Sequence, residues 1–280
     1  MHALKGHGTE NDFVIIPDLD GAHELSETAV RRICDRRAGI GADGILRVVR
    51  SAKHPEAVDQ ASDAEFFTDY RNADGSIAEM CGNGVRVFLR YLERAKLVEQ
   101  EAAVATRGGI VNARLRADGD ISVRMGQPVI LADRPVVTVA RDAARTALLA
   151  LTIPNPHVVV SLQSSDELAG LDLGSPPLVE PALAHGQNVE FIVGTGERHL
   201  RMRVFERGVG ETRSCGTGIC AAAVAAAVDA GRISDGEPWR VDVPGGTCWV
   251  TWYPDGTVEL TGPAVIVAEL DLDEALLRGA

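Results

Sequence analysis

Lysine is scarce in this sequence. Lys5, Lys53 and Lys96 are the only three among 280 residues, and no basic run exceeds the pairs Arg31-Arg32 and Arg36-Arg37. With a formal net charge of −12, the chain lacks the positive surface that nucleic acid or an anionic membrane attracts, so a small-molecule partner is expected. None of the lysines sits in a Schiff-base motif, and no pyridoxal phosphate or other cofactor is expected. Long apolar runs are missing too. The opening MHALKGHGTENDF has no apolar core of a signal peptide, and the longest small-apolar stretch, Ile219 to Val228, is too short to cross a bilayer and stops at Asp229. The expectation is a soluble, unexported, cytoplasmic protein with no membrane partner.

Cysteine patterns exclude more. Five cysteines, Cys34, Cys81, Cys215, Cys220 and Cys248, are an odd number for a disulfide framework and show no Cys-x-x-Cys or zinc-ligand spacing. Free thiols in a reducing compartment and no bound metal are expected. What the chain does contain is apolar material, 45% of residues, enough for one large core or two ordinary ones without staples.

A weak internal repeat emerges when two Cys-Gly-x-Gly segments are aligned, Cys81-Gly82-Asn83-Gly84 with Cys215-Gly216-Thr217-Gly218. A polar residue stands nine positions before each cysteine, Asn72 and Glu206, and Gly-punctuated turns fill both intervals. A helical stretch and a Gly-Gly pair follow each cysteine, and Asn11 and Asn155 each lead into a β-branched strand. Four landmarks in one order point to duplication, with two equivalent halves facing each other across a pseudo-twofold axis. The division is expected near Met125-Gly126-Gln127-Pro128, giving one half of 1–124 plus 263–280 and another of 125–262.

Short β-branched runs bounded by Gly, Pro, Asn and Asp predict strands at Val14 to Ile16, Ile45 to Val49, Ile121 to Arg124, Val158 to Val160, Met202 to Phe205, Val241 to Val243 and Cys248 to Trp252. Val85, Phe88, Leu89 and Leu92 recur at helical spacing, which predicts an amphipathic helix after Cys81. Ile219 to Val228 is apolar all round and almost wholly Ala, which predicts a helix enclosed on every side. The expected fold is α/β (α+β), each half a mixed, largely antiparallel sheet wrapped around a central helix.

Cys81 and Cys215 each stand where a Gly-rich turn meets a helix start, a place where unpaired N–H groups favour negative charge. Such a setting lowers a thiol toward neutrality, the range useful for proton abstraction. Gly82, Gly84, Gly216 and Gly218 would let a carboxylate reach the same N–H groups. A single Cys before Gly is usually a small core residue, but two in matching contexts point to catalysis; Cys34, Cys220 and Cys248 read as buried structural residues. Neither Cys-Gly-x-Gly loop is a dinucleotide fingerprint or a P-loop. One thiol that removes an α-proton and a second that delivers one from the opposite face would invert an amino-acid stereocentre.

The segments DRRAGIGADG, YRNADGSIAEMCGNGVR, NPHVVV, QNVEF, ERGVGETRSCGTG and VPGG together resemble the diaminopimelate epimerase family, and with Asn11 upstream of them the matching positions extend to Gly246. The resemblance implies an isomerase that interconverts LL- and meso-2,6-diaminoheptanedioate for lysine and peptidoglycan synthesis, with two pseudo-symmetric domains, an active site in the cleft between them, and a homodimer. It implies that Cys81 and Cys215 are the catalytic pair, that Gly82, Asn83, Gly216 and Thr217 hold the reacting carboxylate, and that Asn11, Asn72, Asn155, Asn188, Glu206 and Arg207 bind substrate. His157 and Glu206 match positions that tune the cysteines. Read singly, Asn11 and Asn155 also suit strand entries, His157 a core histidine, and Arg207 a surface pair with Glu206 or Glu211. Three features depart from the family pattern: Pro154 for the usual Gly, Gly44 for a common Gln near substrate, and Thr9-Glu10 for a small pair. A proline or histidine racemase shares this chemistry but offers Arg207 no second carboxylate to grip, and a thiol redox protein needs a closely spaced cysteine pair that is absent.

Overall fold

The computed structural model describes residues 1–140, 142–273 and 276. The chain divides into two compact units, Met1–Val123 with the segment from Gly262, and Arg124–Thr261. Of the piece 263–280 expected in the first half, positions 274, 275 and 277–280 lie outside the described residues.

In the first unit, strands β1 (His2–Gly8), β2 (Asn11–Pro17), β3 (Gly44–Arg50), β4 (Phe66–Asn72), β5 (Glu101–Thr106), β6 (Gly109–Leu115) and β7 (Ile121–Gly126) form one mixed sheet. Successive pairings run antiparallel, parallel, antiparallel, parallel, antiparallel, antiparallel. A later strand, Val265–Asp271, returns to pair with β1. Helix α1 (Glu27–Cys34) lies between β2 and β3, and α2 (Gly82–Arg94) between β4 and β5. The sheet wraps α2, which buries Val85, Phe88, Leu89 and Leu92 as the spacing predicted. Alternation along the strands sends Phe13 and Leu46 toward α2, while Val14, Ile16 and Ile45 pack with Val30, Ile33 and Cys34 of α1. Burial on both faces is why these strands read as continuous β-branched runs.

The second unit repeats this plan. Strands β11 (Leu149–Ile153), β12 (Asn155–Ser161), β14 (Asn188–Gly196), β15 (His199–Glu206), β17 (Pro238–Val243), β18 (Gly246–Trp252) and β19 (Val258–Gly262) pair in the same sequence of directions. Between them come the short strands β8 (Val129–Ile130), β9 (Val136–Thr138), β10 (Arg145–Thr146), β13 (Leu178–Glu180) and β16 (Gly210–Thr212). Helix α3 (Ser165–Gly170) occupies the place of α1, and α4 (Gly216–Asp229) that of α2. Helix α4 is buried from Gly216 to Ala227, the enclosure that its all-apolar run predicted. Ala-rich packing lets the strands approach it closely from every side. On the outer face Val158, Val160, Val189 and Phe191 pack against Val137, Leu168 and Val179. Every predicted strand falls inside an observed one.

Candidate active site

Each central helix begins at its cysteine. Cys81 is the N-cap of α2 and Cys215 the N-cap of α4, both in extended backbone conformation. Gly82 and Asn83 form the first turn of α2, and Gly216 and Thr217 that of α4, so each thiol stands at a helix start, where the first backbone N–H groups have no acceptor within the helix.

Around Cys81 the polar groups form a chain. Gly84 N–H donates to the sulfur at 3.4 Å, and the thiol faces Asn11 Oδ1 at 3.6 Å. Asn11 turns its Nδ2 to Asp43 Oδ2 at 2.8 Å, which fixes the amide and leaves Oδ1 for Cys81 and for Asn83 Nδ2 at 3.2 Å. Asp43 is itself held by Arg36 at 2.7 Å, as is Asp12, which also accepts from Lys5 at 2.6 Å. Burial pushes the Asp12 carboxyl up, but the hydrogen bonds and charges of Arg36 and Lys5 outweigh it and hold it at about 2. Arg86, fully buried on α2, donates to Asn83 Oδ1, to Thr9 Oγ1 at 3.2 Å and to Pro263 O at 3.1 Å. Thr9 and Glu10 form the two-residue turn between β1 and β2 with φ of 51° and 61°, a left-handed pair that a β-branched residue resists. The Arg86 bond to Thr9 helps hold that turn, and with it Asn11, in place.

Cys215 sits differently. It is buried, and burial first, then the charges of Glu206 and Glu190, push its thiol well above the ordinary range. The Thr217 hydroxyl, 3.5 Å from the sulfur, and the Gly218 N–H favour the anion without offsetting this. The expected drop toward neutrality is therefore reversed at Cys215: desolvation and two carboxylates outweigh the helix start. Cys34 follows the structural reading, buried and raised to about 12, and Cys220 and Cys248 are buried as well.

The remaining site residues cluster at strand ends in two groups. In the first unit Asn72 closes β4, its Nδ2 donating to Ser76 Oγ at 3.0 Å. In the second, Asn155 opens β12, and Asn188 opens β14 directly opposite His157. Asn188 Oδ1 accepts from the Arg207 backbone N–H at 2.9 Å, and Glu206 accepts from the Thr212 hydroxyl. The Arg207 guanidinium is exposed and donates to the His185 carbonyl; Glu211, one carboxylate it was open to pairing with, instead binds Arg203 at 2.7 Å. His157 is fully buried, with Nδ1 2.7 Å from Glu190 Oε1. Gly44 allows no side chain, because a Cβ there would lie 2.5 Å from the Arg71 carbonyl and 2.9 Å from the Tyr70 ring. The sequence reading missed Asp43, Arg86 and Glu190. A charged residue amid the apolar run NVEFIV was the available signal for Glu190. Among the described residues no group of three or more His, Cys, Asp or Glu is arranged to hold a metal ion.

The profile of the family described as diaminopimelate epimerase matches residues 3–131 and 149–267, so both cysteine-capped helices fall inside it. The diaminopimelate epimerase of Streptomyces coelicolor is 53% identical over 285 residues, covering 99% of this chain and 96% of its own. That of Thermobifida fusca is 47% identical over 289 residues, covering 99% and 100%. A solved PhzF-family phenazine biosynthesis protein of Bacillus anthracis shares the fold with a TM-score of 0.70 at 17% identity, covering 97% of this chain and 98% of that one. The fold is thus a mixed α/β arrangement of two pseudo-symmetric domains, and the chain belongs to the diaminopimelate epimerase family.

Proposed function

We propose that this isomerase interconverts LL- and meso-2,6-diaminoheptanedioate, with Cys81 and Cys215 serving as acid and base on opposite faces of one α-carbon. The observation that carries the reading is the repetition itself: each pseudo-equivalent half places one cysteine at the N-cap of its central helix. A thiolate takes the α-proton, leaving a planar carbanion, and the second thiol returns a proton to the other face. The roles of the two sulfurs are exchanged at the end of a turnover. Burial and the neighbouring carboxylates favour Cys215 as the thiol that starts protonated.

Carbanionic charge spreads onto the reacting carboxylate, where the N–H groups of Gly82, Asn83, Gly216 and Thr217 would stabilise it through preorganised dipoles. Asn11, Asn72, Asn155, Asn188 and Glu206 would hold the substrate's amino and carboxyl groups, and the Arg207 fork would grip the distal carboxylate. Glu206 and His157 would tune the thiols. The segments 1–124 with 263–280, and 125–262, would act as the two functional halves. A homodimer working in the cytoplasm without cofactor or metal completes the proposal. The test is direct: purified protein given LL-diaminopimelate should yield the meso isomer. No conversion, or racemisation of proline in its place, would overturn the reading.

A further inference from the structure

The family resemblance assigns no part to Glu190, yet it is the one charged residue in the strand segment Asn188 to Val193 and is fully buried. Strands β12 and β14 run parallel with His157 opposite Asn188 and Val159 opposite Glu190, so the two-residue period puts His157 and Glu190 on one face. The intervening Val158, Val189 and Phe191 belong to the core on the other face. The shared face packs against α4. A Cβ on Gly218 would lie 2.6 Å from Glu190 Oε1, so the carboxyl lies against the first turn of the helix that Cys215 caps, at a position kept free of a side chain.

A carboxylate in such surroundings is expensive unless its hydrogen bonds compensate, and an apolar pair of similar volume is often no worse for stability. Here Oε1 meets His157 Nδ1 at 2.7 Å, while Glu190 Oε2 and His157 Nε2 have no hydrogen-bond partner among the described residues. With Glu190 ionised its oxygen can only accept, which would set the proton of a neutral His157 on Nδ1 and the lone pair on Nε2.

We propose that Glu190 is a positioning residue for the epimerisation: it fixes the tautomer and ring orientation of His157 so that Nε2 is presented as a proton acceptor for thiol chemistry. The inference rests on the reading that His157 tunes a catalytic thiol. Nε2 has no partner among the described residues, so a thiol proton would reach it on closer approach or through a bridging water, and thiolate and imidazolium would then form together. Nδ1–H stays on Glu190, whose charge stabilises the cation, the role a buried carboxylate plays behind the histidine of a serine protease.

The test combines ring-nitrogen NMR with kinetics. In protein carrying 15N-histidine, the His157 signals are those lost in His157→Gln, and the wild-type ring should be protonated on Nδ1 and bare on Nε2. Glu190→Gln removes the charge and can turn either its NH2 or its oxygen to Nδ1, so the ring should lose its single Nδ1-protonated form and kcat should fall roughly tenfold or more with KM nearly unchanged. A wild-type ring protonated on Nε2, or a folded Glu190→Gln with wild-type kcat, overturns the proposal. Full activity in His157→Gln overturns both it and the tuning role of His157. Absence of epimerisation in the wild type overturns the proposed function and with it the positioning role, while the His157 tautomer set by Glu190 is still read without turnover.

Discussion

Oδ1 of Asn11 lies 3.6 Å from Sγ of Cys81, and the orientation of that amide is set from behind by Asp43. The carbonyl oxygen is thereby aimed at the thiol and the NH2 group away from it. Asn11→Ala removes this partner and the acceptor for Asn83 together. It is expected to lower kcat/KM by about tenfold to a hundredfold, the equivalent of one or two hydrogen bonds at the reacting group. The half-buried position should leave the melting temperature within a few degrees, which thermal denaturation checks.

The two thiols proposed as acid and base should also differ in reactivity. Cys81 is partly exposed and accepts a backbone N–H, whereas Cys215 is buried beside two carboxylates and Cys34 is held at about 12. Since the thiolate is the nucleophile, a thiol at about 12 has only about one molecule in ten thousand ionised at pH 8. Brief iodoacetamide treatment at that pH followed by peptide mapping should find Cys81 labelled first. Labelling of Cys215 or Cys34 ahead of it would contradict the electrostatics described above.

Acid should weaken the first unit through Asp12. Its folded carboxyl titrates at about 2, below an ordinary 3.8, so it contributes stability above the unfolded value that is lost as pH falls from about 4 to 2. The shift corresponds to about 2 kcal/mol. Asp12→Asn should cost about that much at pH 7 and show a shallower loss of stability over this range, measured by urea unfolding at a series of pH values. An unchanged profile would mean that Lys5 and Arg36 do not hold the carboxylate ionised.

Much of this architecture was legible because it depends on local pattern. The spacing of Val85, Phe88, Leu89 and Leu92 announces α2, and the continuous Ala run announces an enclosed α4, although α4 starts earlier than that run, at Gly216. What was hidden depends on residues distant in sequence. His157 and Glu190 meet only because β12 and β14 pair in parallel, and no local periodicity encodes that register. The turn at Thr9-Glu10 carries neither Asn nor Gly, so nothing in the sequence signals its left-handed backbone, which the distant Arg86 helps to hold. Cys215 looked like a helix-start thiolate because the helix is local; the carboxylates of Glu206 and Glu190 that oppose it come from other strands.

Arg207 gives a prediction about specificity. Its guanidinium is exposed and tied to the His185 carbonyl, with further N–H groups arranged as a planar fork. Arg207→Lys keeps the charge but loses bidentate geometry. KM for diaminopimelate should rise by roughly tenfold or more while kcat and melting temperature change little. An unchanged KM would remove Arg207 from distal-carboxylate recognition.

The account stands on two thiols acting from opposite faces, and the fate of the α-proton tests that most directly. LL-Diaminopimelate incubated briefly with the enzyme in deuterated water should give meso product carrying deuterium at the inverted carbon, while unreacted substrate remains protiated. That outcome follows because the donating thiol has exchanged with solvent and the accepting one holds the abstracted proton. Meso product that retains protium at the inverted carbon, or deuterium entering recovered LL substrate as fast as product forms, would instead indicate a single base and contradict the assignment of Cys81 and Cys215.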